Sequence, residues 1–477
     1  MRPCTVLILV WPEASEYNAT LHLARLLRQR GREVVYAAPG RWEAYLARQG
    51  FATLSLDPSA PVLNAAAGRC QPLSVRAEAR KRIDDLQASL VGLGCRAFDL
   101  VLLQPTLWHY GVAFHRLDIP YVLVSGCLGS PRSPDVPPVF SDLVPLPGHP
   151  LVNRVRCLWA WSALRYLGAF SHRYRGIIQP RRSGVWAWIR DAGVAVRHLF
   201  HSALEPLYMP LYYRVLRVAR REGIVVRWGD YGYRLAGTEL VLGPEGVDFS
   251  RRPRRYRRVY AGACVDTERV EDTLDWSCID PRKPLVYCAV GSHGGYWNAE
   301  NRSRLLRCVV ESFRARPDYQ VLLQTIGEDE CRSLGPLPAN ILAARWYPQL
   351  KVLSGAAFVI THGGFGTVRE ALFFGVPMIV FPCGVDQSGN AARVARLRVG
   401  LAGDIRTVTP ATMSSMLREI EKPRYRENAL MFRSALRADN TCSAALTIIE
   451  SALEGAVDDA TSGRLGGPTC RCSRGRP

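Results

Sequence analysis

The stretch WYPQLKVLSGAAFVITHGGFGTVREALFFGVPMIVFPCGVDQSGN, residues 346–390, decides how the rest of the chain is read. FVIT (358–361) is strand-like; a small-residue turn, a helix-like run and a second strand-like run, MIVF (378–381), follow it. Two polar clusters interrupt this pattern: His362 to Thr367 with Glu370, then Asp386, Gln387 and Asn390. The first cluster follows a predicted strand, and α/β units carry their ligand loops at the carboxyl ends of strands. Gly363, Gly364 and Gly366 permit a tight turn and a close approach of backbone to a ligand. The first-turn amides of the helix beyond them are free to meet an anion.

Working outward, PLVYCAVGSHGG (284–295) predicts a strand ending in Gly291 and Ser292, with a helix over 305–314 and a strand over 319–325. Together with 346–390 these make one Rossmann-like domain. Upstream, the apolar run 6–10 predicts a strand buried on both faces. A helix over 20–30 that ends at Gly31, a strand over 33–38 and a helix over 41–48 follow, which opens a second Rossmann-like domain. The glycine fingerprint of dinucleotide sites is absent there, so nothing calls for NAD or FAD. DLVLLQP (99–105) and YVLVSG (121–126) predict further strands, and ELVLGP (239–244) the last of this domain. The aromatic segments around Trp159, Trp161 and Tyr166 and over 205–216 have two readings: core of a helical face, or lining for an apolar acceptor.

At 477 residues the chain is long for one domain. The expected division is 1–250, 262–436, a terminal helix over 437–457 packing back on the first domain, and a disordered tail over 458–477. A hydrophobic content of 48% and a charged content of 22% are globular values. The formal charge of +20 and the run RRPRRYRRVY (251–260) raise nucleic acid as a partner. The run is short and isolated, so a solvated linker is the preferred reading. Fourteen scattered cysteines, the only close pair being Cys470 and Cys472, show no zinc spacing and point to a reducing, cytoplasmic setting. No run reaches the roughly eighteen apolar residues of a spanning helix. Peripheral contact with a membrane and the oligomeric state stay open.

WYPQ (346–349), THGGFGTVREAL (361–372), GVPMIVFP (375–382) and DQSGNAARV (386–394) together resemble the nucleotide-sugar motif of the family 1, UDP-glycosyltransferase-like enzymes of bacterial natural-product and macrolide type. The resemblance is dense over about 284–450 and thinner before it. It implies two facing Rossmann-like domains in the glycosyltransferase B (GT-B) arrangement, with the donor on the second and the acceptor on the first. By the same resemblance Trp346 stacks on the base, Gln349 holds its edge or the ribose, and Glu370 accepts from the ribose hydroxyls. His362, Thr367 and nearby amides, including that of Gly364, meet the diphosphate, with Ser292 assisting. Asp386 and Gln387, with Asn390 close by, hold the sugar hydroxyls. The residue chemistry agrees: an indole suits a base face, carboxylates suit vicinal hydroxyls, and amides suit a diphosphate.

The catalytic side departs from the family. NATLHLARLLRQRG (18–31) sets a register in which Glu16 occupies the place of the family's basic histidine, and Gln104 that of its aspartate partner. His22 falls inside the helix, as a helix-face residue. Three outcomes stay open: Glu16 is the general base with Gln104 positioning it; His109 or the acceptor itself supplies the base; or the protein binds a nucleotide sugar without transferring it. The expected activity is metal-independent, inverting hexosyl transfer from a UDP- or dTDP-sugar to a hydroxyl of a small, largely apolar acceptor, with no other cofactor.

Overall fold

The computed structural model describes residues 3–56, 75–167, 210–249, 257–291 and 299–455. Ser292, most of the basic run (251–256), residues 205–209, Cys470, Cys472 and the 458–477 tail lie outside the described residues.

The first sheet holds β1 (Thr5–Leu9), β2 (Glu33–Ala38), β3 (Ala52–Ser55), β4 (Leu100–Leu103) and β5 (Tyr121–Ser125). An antiparallel hairpin, β6 (Val226–Gly229) and β7 (Gly232–Leu235), stands apart from it before β8 (Glu239–Val241) and β9 (Arg258–Tyr260) return to the sheet. The second sheet holds β10 (Leu285–Ala289), β11 (Gln320–Gln324), β12 (Ile341–Ala344), β13 (Ala356–Thr361), β14 (Met378–Val380) and β15 (Gly400–Ala402). The orders are β3-β2-β1-β4-β5-β8-β9 and β12-β11-β10-β13-β14-β15. The strand pairs of both sheets are parallel.

Each order reverses direction beside its first strand, which is where doubly wound sheets open a crevice. The apolar runs explain the layering. In β1, Val6 and Ile8 pack into one cluster, while Leu7 and Leu9 pack into another on the opposite face. In β10, Val286 and Cys288 face one layer and Leu285, Tyr287 and Ala289 the other. A strand covered on both sides has no polar face to alternate with, so these segments read as unbroken apolar runs.

β9 differs from expectation. The sheet does not end at β8: Arg258–Tyr260 pairs with Glu239–Val241 as a further strand. The strand is hidden in a basic run because Arg258 is not solvated; its side chain is buried, 2.9 Å from Asp248. The aromatics split between the two readings. Trp161 is core, donating its indole N–H to the Val136 carbonyl at 2.8 Å, whereas Trp159 is 49% exposed.

Two connections cross between the domains. Helix Ser443–Leu453 buries Ala445, Leu446, Ile449 and Ala452 in the first domain's core, so the chain returns after completing the second domain. Its approach meets the outgoing linker: Asn440 exchanges hydrogen bonds with the Val265 backbone at 2.9 and 3.0 Å. His22 Nε2 reaches the Asn440 carbonyl at 2.6 Å. Gly262 sits at φ +75, and a Cβ there would land on the Asp439 carbonyl oxygen. Gly262→Ala is therefore expected to cost roughly 2–4 kcal/mol in urea unfolding, through left-handed strain and overpacking. Gly246→Ala, with open space around its Cβ, stays within about 0.5 kcal/mol of wild type.

Candidate active site

The carboxyl edge of the second sheet builds the donor side. After β13 the chain turns through His362 into helix Phe365–Phe374, whose N-cap is Gly364 with no side-chain cap. Its first-turn amides are therefore left for another acceptor. The His362 ring lies between two glycine backbones. A Cβ at Gly291 would come 2.9 Å from the ring and one at Gly364 2.7 Å. Nδ1 stands 3.4 Å from the Ala289 carbonyl. Thr367 is buried in the same first turn.

Trp346 follows β12 on a loop and is 44% exposed. Gln349 opens the helix Gln349–Gly355 and donates to Glu370 Oε2 at 2.6 Å. Glu370 is buried and also receives the Arg269 guanidinium at 2.7 and 3.3 Å. Arg269 bridges on to Glu271 at 2.7 Å, and Glu271 accepts the Leu350 amide at 2.9 Å. Burial alone would raise the Glu370 carboxyl, but Arg269 and Gln349 outweigh it and hold it below its ordinary value. The expected role for Glu370 needs adjustment: a ribose would have to share both oxygens with Arg269 and Gln349. Neither Arg269 nor Glu271 carries a motif, so sequence reasoning missed them.

Beyond β14, Val385 takes φ +52 and delivers Asp386, Gln387 and Asn390 at the start of helix Gln387–Arg396. Gln387 is partly engaged within its own loop. Its carboxamide oxygen accepts the Cys383 and Gly384 amides at 2.8 and 3.1 Å, so it shapes the loop, and only its amide hydrogens remain for a hydroxyl. Asn390 donates to the Gly363 carbonyl at 2.9 Å and to Asp386 Oδ2 at 3.1 Å, while its own Oδ1 is buried without a partner. Burial pushes Asp386 up to about 6 against the Asn390 hydrogen bond.

The first sheet supplies the opposing side. Glu16 lies in the first turn of helix Ala14–Gln29, just after β1. Its Oε2 is buried without a hydrogen-bond partner, close against Gly126 at the end of β5. Burial, then the charges of Glu13 and Asp386, push the carboxyl up to about 8, with Arg369 and the Gly126 amide opposing. Because the folded protein holds this proton more tightly than the unfolded chain, the associated stability is present below about 4.5 and lost as pH rises through about 8.

Gln104 does not position Glu16. Its side-chain oxygen accepts the Trp11 amide at 2.6 Å and so fixes the loop that leads to Glu16. His109 is buried in helix Trp108–Arg116 with Nδ1 unpartnered, and burial lowers it to about 3, which makes it a weak base.

Tyr231 was not foreseen. It forms the tip of the β6–β7 hairpin at φ +61, a conformation L-residues seldom adopt. Its ring meets Phe140 at 4.8 Å, and the residue lies within electrostatic reach of Asp386 and Glu16. The neighbouring Asp230 carboxylate accepts the Ser130 and Val139 amides, and the Val139 carbonyl accepts Gly389 N–H at 3.0 Å. The hairpin thereby seats a first-domain loop on the helix that follows Asp386. Arg369 crosses the same seam, donating to the Leu242 carbonyl at 2.6 Å. Among the described residues no group of three or more His, Cys, Asp or Glu side chains is arranged to hold a metal ion.

Two doubly wound parallel sheets whose carboxyl edges meet across such a seam define the GT-B architecture. The chain is a GT-B fold protein related to bacterial natural-product sugar transferases. Residues 314–450 match the family model described as erythromycin biosynthesis protein CIII-like, C-terminal domain. The chain is 28% identical over 273 residues to the demethyllactenocin mycarosyltransferase of Streptomyces fradiae, covering 54% of this chain and 57% of that protein. It is 27% identical over 224 residues to a PGL/p-HBAD biosynthesis glycosyltransferase of Mycobacterium tuberculosis (strain ATCC 25618 / H37Rv), covering 45% and 48%. The chain thus spans about half the length of these curated relatives. Among solved structures, the kitacinnamycin glycotransferase superposes with a TM-score of 0.61 at 23% identity, covering 94% of this chain and 99% of that one. The glycosyltransferase VinC in complex with DTDP gives 0.58 at 16%, covering 94% and 100%.

Glu370→Ala leaves the buried Arg269 with Glu271 as its remaining carboxylate and frees the Gln349 amide, and is expected to cost roughly 1–3 kcal/mol in denaturant unfolding. The triple change Arg269→Met, Glu271→Gln and Glu370→Leu, which removes the whole charge cluster, should recover most of that loss. Equal loss in both variants would show that packing, and not the unpaired charge, sets the cost.

Proposed function

We propose that this protein transfers a hexose, with inversion, from a UDP- or dTDP-sugar to a hydroxyl of a small, largely apolar acceptor. The observation that carries the reading is Glu16: its carboxyl is buried, has an unpartnered oxygen, and feels the charge of Asp386 from the other domain. The donor would lie along the second sheet's carboxyl edge, with its base against Trp346 and its diphosphate at the open amides beside Gly364 and His362. Its sugar would lie near Asp386 and Asn390.

The Glu16 carboxylate takes the proton of the acceptor hydroxyl as that oxygen attacks the anomeric carbon. The bond from that carbon to the phosphate oxygen breaks, and its electron pair leaves with the nucleoside diphosphate. The new charge develops opposite the helix terminus, where preorganised donors stabilise it best. A single displacement inverts the anomeric centre. The relatives named above, a mycarosyltransferase and a PGL/p-HBAD biosynthesis glycosyltransferase by their names, support the reaction class.

A second reading, nucleotide-sugar binding without transfer, draws on Gln104: its carboxamide oxygen belongs to Trp11 and gives Glu16 no orienting partner.

Only ionised Glu16 accepts a proton, so kcat/KM is expected to rise with pH through about 8. Glu16→Gln should lose about 10²–10⁴-fold in kcat and abolish that rise. A Glu16→Gln variant with full turnover would remove Glu16 from the reaction. Trp346→Ala should weaken donor binding by roughly 1–3 kcal/mol, read by calorimetry with UDP or dTDP, and leave acceptor affinity unchanged.

A further inference from the structure

Helix Pro150–Leu167 is apolar on two opposite faces. Cys157, Ala160, Trp161 and Leu164 are buried against the first domain. Leu151, Val152, Val155, Leu158 and Trp159 point away from it; Leu151 is 75% exposed and Val155 69%. At about 100° per residue these five occupy one continuous arc of about 120°, centred opposite the buried face. Arg154 and Arg156 stand at its two edges, and the helix carries no Asp or Glu. Among the described residues Arg154 makes an exposed 3.5 Å pair with Asp135, which holds it weakly, and Arg156 keeps one guanidinium nitrogen on the Val144 carbonyl at 3.2 Å. Asn153 pins the half-exposed Leu146 to the start of the helix through bonds of 2.8 and 2.7 Å, so the stripe continues onto the preceding loop.

A contiguous aliphatic stripe left facing water needs an occupant. The geometry points to an anionic lipid surface: the outward face of this helix is a peripheral membrane contact. Convex aliphatic side chains with an exposed indole enter the headgroup boundary, and arginines along both edges meet lipid phosphates. The net charge of +20 favours the same partner. A second copy fits less well, because an isologous pair would press arginine-edged stripes together. Among the described residues no helix is long and apolar enough to cross a membrane, so the contact is with the surface. The proposal is independent of the transfer reaction.

The test is flotation of the full chain with phosphatidylcholine vesicles, with and without phosphatidylglycerol. Wild type is expected to float with the anionic vesicles. Leu151→Asp with Val155→Asp should lower partitioning at least tenfold, since burial of one Leu-sized side chain is already worth about that factor. Circular dichroism and Tm should match wild type, and Val155→Ser alone should give a smaller loss. Arg154→Glu with Arg156→Glu should lower binding to anionic vesicles specifically. Three results would overturn the proposal: no flotation of wild type; equal flotation of the double aspartate variant, which would assign binding to other basic segments; or a wild-type dimer in sedimentation that the same variant dissolves.

Discussion

The seam between the two sheets rests on a buried carboxylate that arginines of both domains neutralise together. Asp248, from the first domain, is fully buried between Arg393 of the second at 2.6 Å and Arg258 at 2.9 Å, with the Tyr260 hydroxyl at 2.7 Å. Burial would raise its carboxyl, but the two guanidinium groups overcome this and hold it at about 2. Buried charges demand partners in good geometry, and separating the sheets would take the Asp248 carboxylate from Arg393 and leave it with Arg258 alone. Helix Gln387–Arg396 is thereby fixed against the first domain, and with it the position of Asp386 relative to Glu16. A first-domain contribution reaches the second core as well: Leu128, Val139 and Val247 pack in one apolar cluster with Phe365 and Val380.

A second set of ties runs through the linker. Arg25 grips Asp266 with two bonds near 3.0 Å, and Gln49 brackets Val270 through both its backbone groups at 2.9 Å. Arg269, on the same linker, reaches Glu370 beneath Gln349. One short segment thus joins the first domain's helices to the floor of the donor side. Any rotation of the domains about their crossing connections would have to be absorbed by this segment, so the order of the donor side and the domain angle are mechanically linked.

How much of this was legible in the sequence depended on whether the determinants were contiguous. Residues 346–390 carry strand, turn, helix and strand in one run, and the open helix N-terminus at Gly364 follows from local chemistry alone. Both Rossmann-like sheets were readable because buried parallel strands leave long apolar runs. β9 was not, because charge patterning within the basic run says nothing about a guanidinium neutralised by Asp248 and Glu239, which lie upstream of that run. Gln387 was assigned to a ligand because side-chain type cannot reveal that its oxygen closes its own loop. Tyr231 sits on a hairpin that has no motif, and its importance appears only when the hairpin tip meets Phe140 and the seam. Glu16 was placed by register, but its raised proton affinity comes first from burial, then from neighbouring Glu13 and from Asp386, a carboxylate far away in sequence.

On the proposed function, the two facing edges form one transferase site. The most direct measurement is a mass-spectrometric screen of the full chain with isotopically labelled UDP- and dTDP-hexoses and a panel of apolar hydroxylated acceptors. The expected product is an acceptor heavier by one labelled hexosyl unit, with the anomeric configuration opposite to the donor's. Donor binding without any labelled product across the panel, or a product that retains the donor's configuration, would contradict it.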